Sequence, residues 1–284
     1  MTTTIELIER VPPPATHPES LATLMAVMSD PTVSVEELEP IISCDTGLTA
    51  GLLRVCNSTY FSWSREIGTV REALVRVGNL TFARIAFVLC LEPALKNRLY
   101  GYRMEADDMW RHSLAVGYAA SRLAAAFELP TLRERAFTAG VLHDIGKLAL
   151  DEVVLEHRRG EDETSRRAVE FVDRHLERRL VGLDHAEIGG ALLESWWLPA
   201  DLVAAVRCHH APEHAGKHML LARLVYGANA ILQTVEGRLS ESEAAERRCE
   251  LLEWDVPTVL LDELQETIAQ AGNDMMSVIM ARRR

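Results

Sequence analysis

The sequence predicts an all-α protein, and three observations predict it. Glycine and proline are sparse, 16 and 11 in 284 residues. No stretch alternates apolar and polar residues with the period of a half-buried strand. Most segments repeat their apolar residues at helical spacing between capping residues. Helices are predicted over 19–29, 35–43, 47–57, 70–77, 80–91, 106–127, 132–143, 166–179, 185–195, 199–209, 217–235 and 257–270.

Taken in order, the caps justify these elements. Ser34-Val-Glu-Glu37 is a capping box ahead of Leu38, Ile41 and Ile42. Thr69-Val-Arg-Glu72 is another, and Gly78 ends that helix. Thr131-Leu-Arg-Glu134 opens a third helix and Asp184-His-Ala-Glu187 a fourth. Pro199 and Pro257 sit where first-turn prolines belong. Two breaks interrupt the pattern. Tyr100 to Asp107 is short and polar, and dividing the chain there gives 1–104 and 105–284. Glu156 to Arg167 is a dense charge run, read as an exposed loop entering a helix. Residues 236–284 read as helices, with Glu263 to Met280 as a terminal amphipathic hairpin. No repeat or low-complexity tract is present.

Composition narrows the class. Hydrophobic residues make up 48% and charged residues 25%, enough apolar mass for a core. Disorder, collagen and disulfide scaffolds are excluded. Cys44, Cys56, Cys90, Cys208 and Cys249 are odd in number, scattered and free of C-x-x-C, which points to a reducing, cytoplasmic setting. The N-terminus lacks the apolar core of a signal peptide, and no apolar run nears the roughly 20 residues that span a bilayer. A net charge of −12 repels nucleic acid and anionic lipid, and the Arg282–Arg284 tail reads as a solvated end.

The chemistry-bearing signal is Leu142-His143-Asp144-Ile145-Gly146-Lys147. An imidazole beside a carboxylate offers a nitrogen and a hard oxygen, a mix that suits Fe, Mn, Ni, Zn, or Mg bridged to phosphate. Gly146 lets the chain turn past the ligands, and Lys147 could meet a phosphate oxygen. Alone, the pair reads better as a helix C-terminus, with His143 favouring the dipole and Asp144 capping the next turn. A supporting set surrounds it: His112 on a long helix one turn after Asp108, His185 behind the Asp184 cap, and His209-His210 at a helix end. Each also has a plain structural reading, as a core, surface or C-terminal histidine. The glycine spacing around His143 does not make a phosphate loop, since five residues separate Gly140 from Gly146 and Leu148 stands where Ser or Thr belongs. Asn57 to Phe61 reads as buried cap and turn, and Trp196-Trp197 as core anchoring before Pro199.

These residues resemble a known family. The second half is similar to the HD superfamily of metal-dependent phosphohydrolases, and the chain over roughly 12–235 resembles its HDOD branch, the HD-related output domain of bacterial signalling proteins. The first half carries the resemblance in Pro12-Pro13-Pro14, Leu24, Ser29-Asp30-Pro31, Ile41 to Asp45, Leu52 to Ser58 and Thr69 to Gly78. The second carries it in Trp110-Arg-His112-Ser113, Gly140 to Lys147, Asp184 to Gly189, Trp197-Leu-Pro199 and His209-His210.

The resemblance implies an HD-like helical bundle with an N-terminal helical subdomain and a metal pocket between helices. It carries ligand roles to His112, His143 and Asp144, with a later ligand aspartate replaced by Asn229. From the related HD-GYP phosphodiesterases it carries Lys147, His185 and His209-His210, and it places a glutamate equivalent at Asp108. The Gly-Tyr-Pro segment of that group is absent after His210, which argues against its cyclic-dinucleotide substrate. The implied function is a cytoplasmic bacterial signal-transduction output module. It would bind one or two divalent transition metal ions (Fe, Mn, Ni or Zn), with little or no turnover, and would engage a signalling protein or a nucleotide, but neither nucleic acid nor membrane. The alternatives are an active phosphohydrolase of a nucleotide or cyclic dinucleotide, with Asp144 and Lys147 catalytic, and a metal-free interaction scaffold.

Overall fold

The computed structural model describes residues 4–11, 24, 34–58, 61, 65–105, 107–159 and 172–280. Among the described residues regular structure is helical, apart from one isolated bridge pairing Leu99 with Met104. No helix among them is long and apolar enough to cross a membrane. The chain divides into two units, 13–94 with 273–284, and 1–12 with 95–272.

The smaller unit contains α2 (Val35–Ser43), α3 (Thr46–Cys56), α4 (Val70–Val77) and α5 up to Ala94 (Asn79–Leu95). Its core collects Leu38, Ile42, Leu52, Val55, Leu74, Phe82 and Phe87, all essentially inaccessible. Thr69 caps α4 by accepting from the Glu72 amide, and Gly78 closes it at φ 80°. The predicted turn at Asn57 is real. Its side chain accepts from the Ile67 amide and donates to the Leu53 and Ile67 carbonyls, fixing the chain's return. The tripeptide Pro12–Pro14, Ser29–Pro31 and, apart from Leu24, the helix expected over 19–29 lie outside the described residues.

The larger unit holds α1 (Thr4–Glu9), α6 (Asp108–Ala126), α7 (Pro130–Leu142), α8 (Lys147–Arg159), α9 (Arg174–Val181), α10 (His185–Ser195), α11 (Ala200–Arg207), a 3-10 segment (Pro212–His218), α12 (Met219–Val235), α13 (Glu241–Glu253) and most of α14 (Thr258–Met280). A three-residue connection after α6 makes α6 and α7 neighbours. Their backbones touch where Gly140 meets Gly117, since a Cβ on Gly140 would lie 2.7 Å from the Gly117 Cα. That crossing sets His112, five residues before Gly117, against His143, three after Gly140.

Several expectations are corrected. The chain divides at Ala94/Leu95 rather than at the expected 104/105 within Tyr100–Asp107, because the 99–104 turn is held by Asp151 of α8. Helix α7 starts at Pro130 with no side-chain cap, so the Thr131 box is unused; proline at the first position needs no N–H partner. Pro199 caps α11 from outside the helix, and Pro257 precedes Thr258. Residues 156–159 continue α8, with Val154 and Arg158 buried on one face, so the charge run begins inside a helix. The rest of that run, 160–167, and the start of the helix expected over 166–179 lie outside the described residues. Glu263 to Met280 forms one unbroken helix, not a hairpin. Trp196 is buried, but Trp197, at φ 61°, is 85% exposed.

Candidate metal centre

The centre lies within the larger unit. It is assembled by helix ends. His112 comes from the start of α6, and His143 follows the last turn of α7. Asp144 sits in the 143–146 turn, and Lys147 begins α8. His185 opens α10, which is fixed by a complete capping box of Asp184 and Glu187. His209 and His210 follow α11. All six predicted ligands thus come together, in two groups whose ligand atoms lie within 4.8 Å: His112, His143 and Asp144, and His185, His209 and His210.

The orientation of the imidazoles is set by their inner nitrogens. His143 Nδ1 lies 2.8 Å from the Gly140 carbonyl, and His209 Nδ1 2.7 Å from that of Val206. His112 Nδ1 is 3.2 Å from Glu236, and His185 Nδ1 2.8 Å from Glu177. Carbonyl and carboxylate oxygens accept, so each Nδ1 carries hydrogen and donates, and Nε2 is the atom turned toward the centre. The Nε2 atoms of His143 and His209 are buried with no hydrogen-bond partner among the described residues. A buried unpaired nitrogen is costly, and a metal ion would satisfy it.

Asp144 stands between the two groups. Its Oδ2 lies 3.4 Å from His143 Nε2 and 3.8 Å from His112 Nε2, while Oδ1 lies 3.2 Å from His185 Nε2. Lys147 Nζ is 2.5 Å from Oδ2. The carboxylate therefore faces one group with each oxygen. Burial alone would push its pKa up, but His143, Lys147 and His185 outweigh burial and hold it well below the usual range. Burial lowers His143 and His210 well below the ordinary imidazole range and His209 to about 4, so these are neutral near pH 7. Burial also lowers His185, but its hydrogen bonds to Asp144 and Glu177, with their charges, overcome this and raise it to about 9. The neutral His143, His209 and His210 and the ionised Asp144 are in the forms that bind metal, and His185 would release its proton on binding.

One prediction needs amendment, that for Asp108. Gly146 ends the 143–146 turn, as expected, and its lack of a Cβ lets the His185 carbonyl approach to 2.1 Å of where that atom would stand. Asp108 is in neither metal-capable group, accepting instead from the Glu105 amide and pairing with Arg111. Asn229 is buried on α12, with Oδ1 unpartnered among the described residues. Sequence reasoning missed Glu236, Glu177 and Tyr102, whose hydroxyl donates to Glu177 at 2.8 Å. For Glu236 a signal existed, since it follows Asn229 by seven residues, two helical turns on the same face. Glu177 and Tyr102 carried none.

Comparison with known proteins agrees with this architecture. An uncharacterized protein of Treponema pallidum (strain Nichols) is 26% identical over 223 residues, 78% of this chain and 42% of that protein. Ribonuclease Y of Thermus thermophilus is 31% identical over 172 residues, 59% of this chain and 24% of that protein. The chain thus spans less than half the length of these curated relatives. The crystal structure of a provisionally named phosphohydrolase from Shewanella amazonensis SB2B superposes with a TM-score of 0.72 at 25% identity, covering 98% of both chains. The family model of the HDOD domain matches residues 15–212, and the chain belongs to the HDOD domain family.

Proposed function

We propose that this protein is a cytoplasmic signalling output module whose centre binds two divalent transition metal ions (Fe, Mn, Ni or Zn) and whose turnover is weak or absent. His112, His143 and Asp144 would hold one ion. His185, His209, His210 and the second oxygen of Asp144 would hold the other. The observation that carries this reading is the set of four imidazoles tethered at Nδ1, three of which, His112, His143 and His185, turn Nε2 toward one shared carboxylate. Signalling partners, protein or nucleotide, are inferred from the family. Elemental analysis of protein purified without chelator is expected to find about two ions per chain. A metal-free result that survives reconstitution with Fe, Mn, Ni and Zn would leave only the scaffold reading.

A second reading, an active phosphohydrolase, is favoured by Lys147 beside Asp144 and by the name of the Shewanella relative. A bound divalent metal would supply Lewis-acid polarisation of a phosphoryl oxygen. Within that chemistry Lys147 would stabilise charge on the substrate, and the buried imidazoles would keep bulk water out. Asn229 is the weak point, because an amide oxygen is a poorer ligand than a carboxylate. If the site is a weakened enzyme, Asn229→Asp raises turnover of bis(p-nitrophenyl) phosphate, a cyclic dinucleotide or a short RNA by on the order of tenfold or more. A variant inert toward all three would remove the enzyme reading.

A further inference from the structure

Outside the six ligands, one buried polar chain reaches the centre from a segment that contributes no ligand. The turn between Leu99 and Met104 is held at its tip by Asp151, whose carboxylate accepts from the amides of Tyr100, Gly101 and Tyr102 at 3.1, 2.8 and 3.4 Å. Asp151 lies one turn after Lys147 on α8, so the helix that brings Lys147 to the centre also fixes this turn. The turn delivers Tyr102, which is 6% exposed, inward. Its hydroxyl donates to Glu177 Oε1, and Glu177, on α9, is wholly inaccessible. The other oxygen of Glu177 accepts from the His185 backbone amide at 2.7 Å and from its Nδ1 at 2.8 Å. His185 therefore has its main chain and its ring held by one carboxylate, and that carboxylate is held by one phenol.

A buried carboxylate with three donors fixed around it has little freedom to turn. We propose that Tyr102 and Glu177 are positioning residues for the His185–His209–His210 half of the centre. They would set the ring plane of His185 and raise its strength as a ligand, leaving the His112–His143 half, backed by Glu236, untouched. The inference rests on the metal reading above and assigns one half of that centre to a phenol–carboxylate pair. Outer partners of this kind are worth about 10–100-fold in metal affinity.

The test is titration of metal-free protein with Co²⁺, read by its visible absorption and by elemental analysis after desalting. Wild type is expected to take up two ions. Glu177→Gln keeps an acceptor for Nδ1 and removes the charge; it should weaken one ion by about 10–100-fold and leave the other unchanged. Tyr102→Phe removes a single hydroxyl and should weaken the same ion less. Thermal melts of the metal-free proteins separate this from general damage. A lowered melting temperature with both affinities intact, or equal weakening of both ions, overturns the proposal. Unchanged affinity in Tyr102→Phe and Glu177→Gln overturns it too. If Glu177→Gln does not fold, Tyr102→Phe alone decides. Wild type taking up no ion would overturn the metal reading itself, an outcome distinct from selective failure of the variants.

Discussion

Asp144→Ala is expected to empty both halves of the centre, whereas His143→Ala should empty only its own. The difference follows from placement. Asp144 is the residue whose two oxygens face the two groups, Oδ2 toward His143 and Oδ1 toward His185. It is 2% exposed and carries the negative charge against which Lys147 and His185 are set. On the two-ion reading, removing it takes a ligand from each ion. It also leaves the part-buried Lys147 without its carboxylate and His185 with Glu177 alone, so the metal-free protein is expected to lose stability as well. Asp144→Asn separates the two effects, since the amide keeps the volume and an acceptor but loses the charge. Elemental analysis and a thermal melt of all three variants check this. Near-stoichiometric metal in Asp144→Ala would mean that the two groups bind independently and that the carboxylate bridges nothing.

The parts of this molecule that could be read from its sequence are those whose signal is local. Asp184 and Glu187 declare their helix because both halves of the capping box lie within four residues, and the structure shows both bonds. His143 and Asp144 are adjacent, so one dipeptide carried the centre into view. Glu177 sits 75 residues from Tyr102, and nothing near it marks it as different from a surface acid; Glu236 sits 124 residues from His112, and only its seven-residue spacing from Asn229 hints at it. Their role exists only once helices pack.

The helices whose bounds were missed have the same explanation in reverse. Helix α13 lies in the stretch 236–284 that reads as helical, but it buries only Leu251, so its apolar period is too sparse to give its bounds despite the Ser240 and Glu243 box. Helix α8 begins at Lys147, inside the motif that drew attention as a turn, and ends in charge. Helices α6 and α12, by contrast, are buried along most of their length, and their spans were legible to within a few residues.

Gly146→Ala is the change in which fold and site meet, and it is expected to damage both. A Cβ here would stand 2.1 Å from the His185 carbonyl oxygen and 2.6 Å from the Gly189 amide nitrogen. Both are backbone atoms of α10, so no side-chain rotation relieves the clash; the helix or the 143–146 turn must shift. Overpacking of a well-filled core costs about 1–3 kcal/mol, and contact with rigid backbone belongs at or above the top of that range. The shift also opens the distance that lets one carboxylate face both His143 and His185, now 3.4 and 3.2 Å. The variant is therefore expected to melt well below wild type and, where it folds, to hold its second ion at least tenfold more weakly, in keeping with the cost of disturbing a ligand's support. Gly182→Ala is the control: its φ of 83° suits glycine and strains alanine, but nothing lies near a Cβ there, so it should lose stability without losing metal. If Gly146→Ala binds two ions as tightly as wild type, the close contact between the turn and α10 is not what sets the spacing of the two halves.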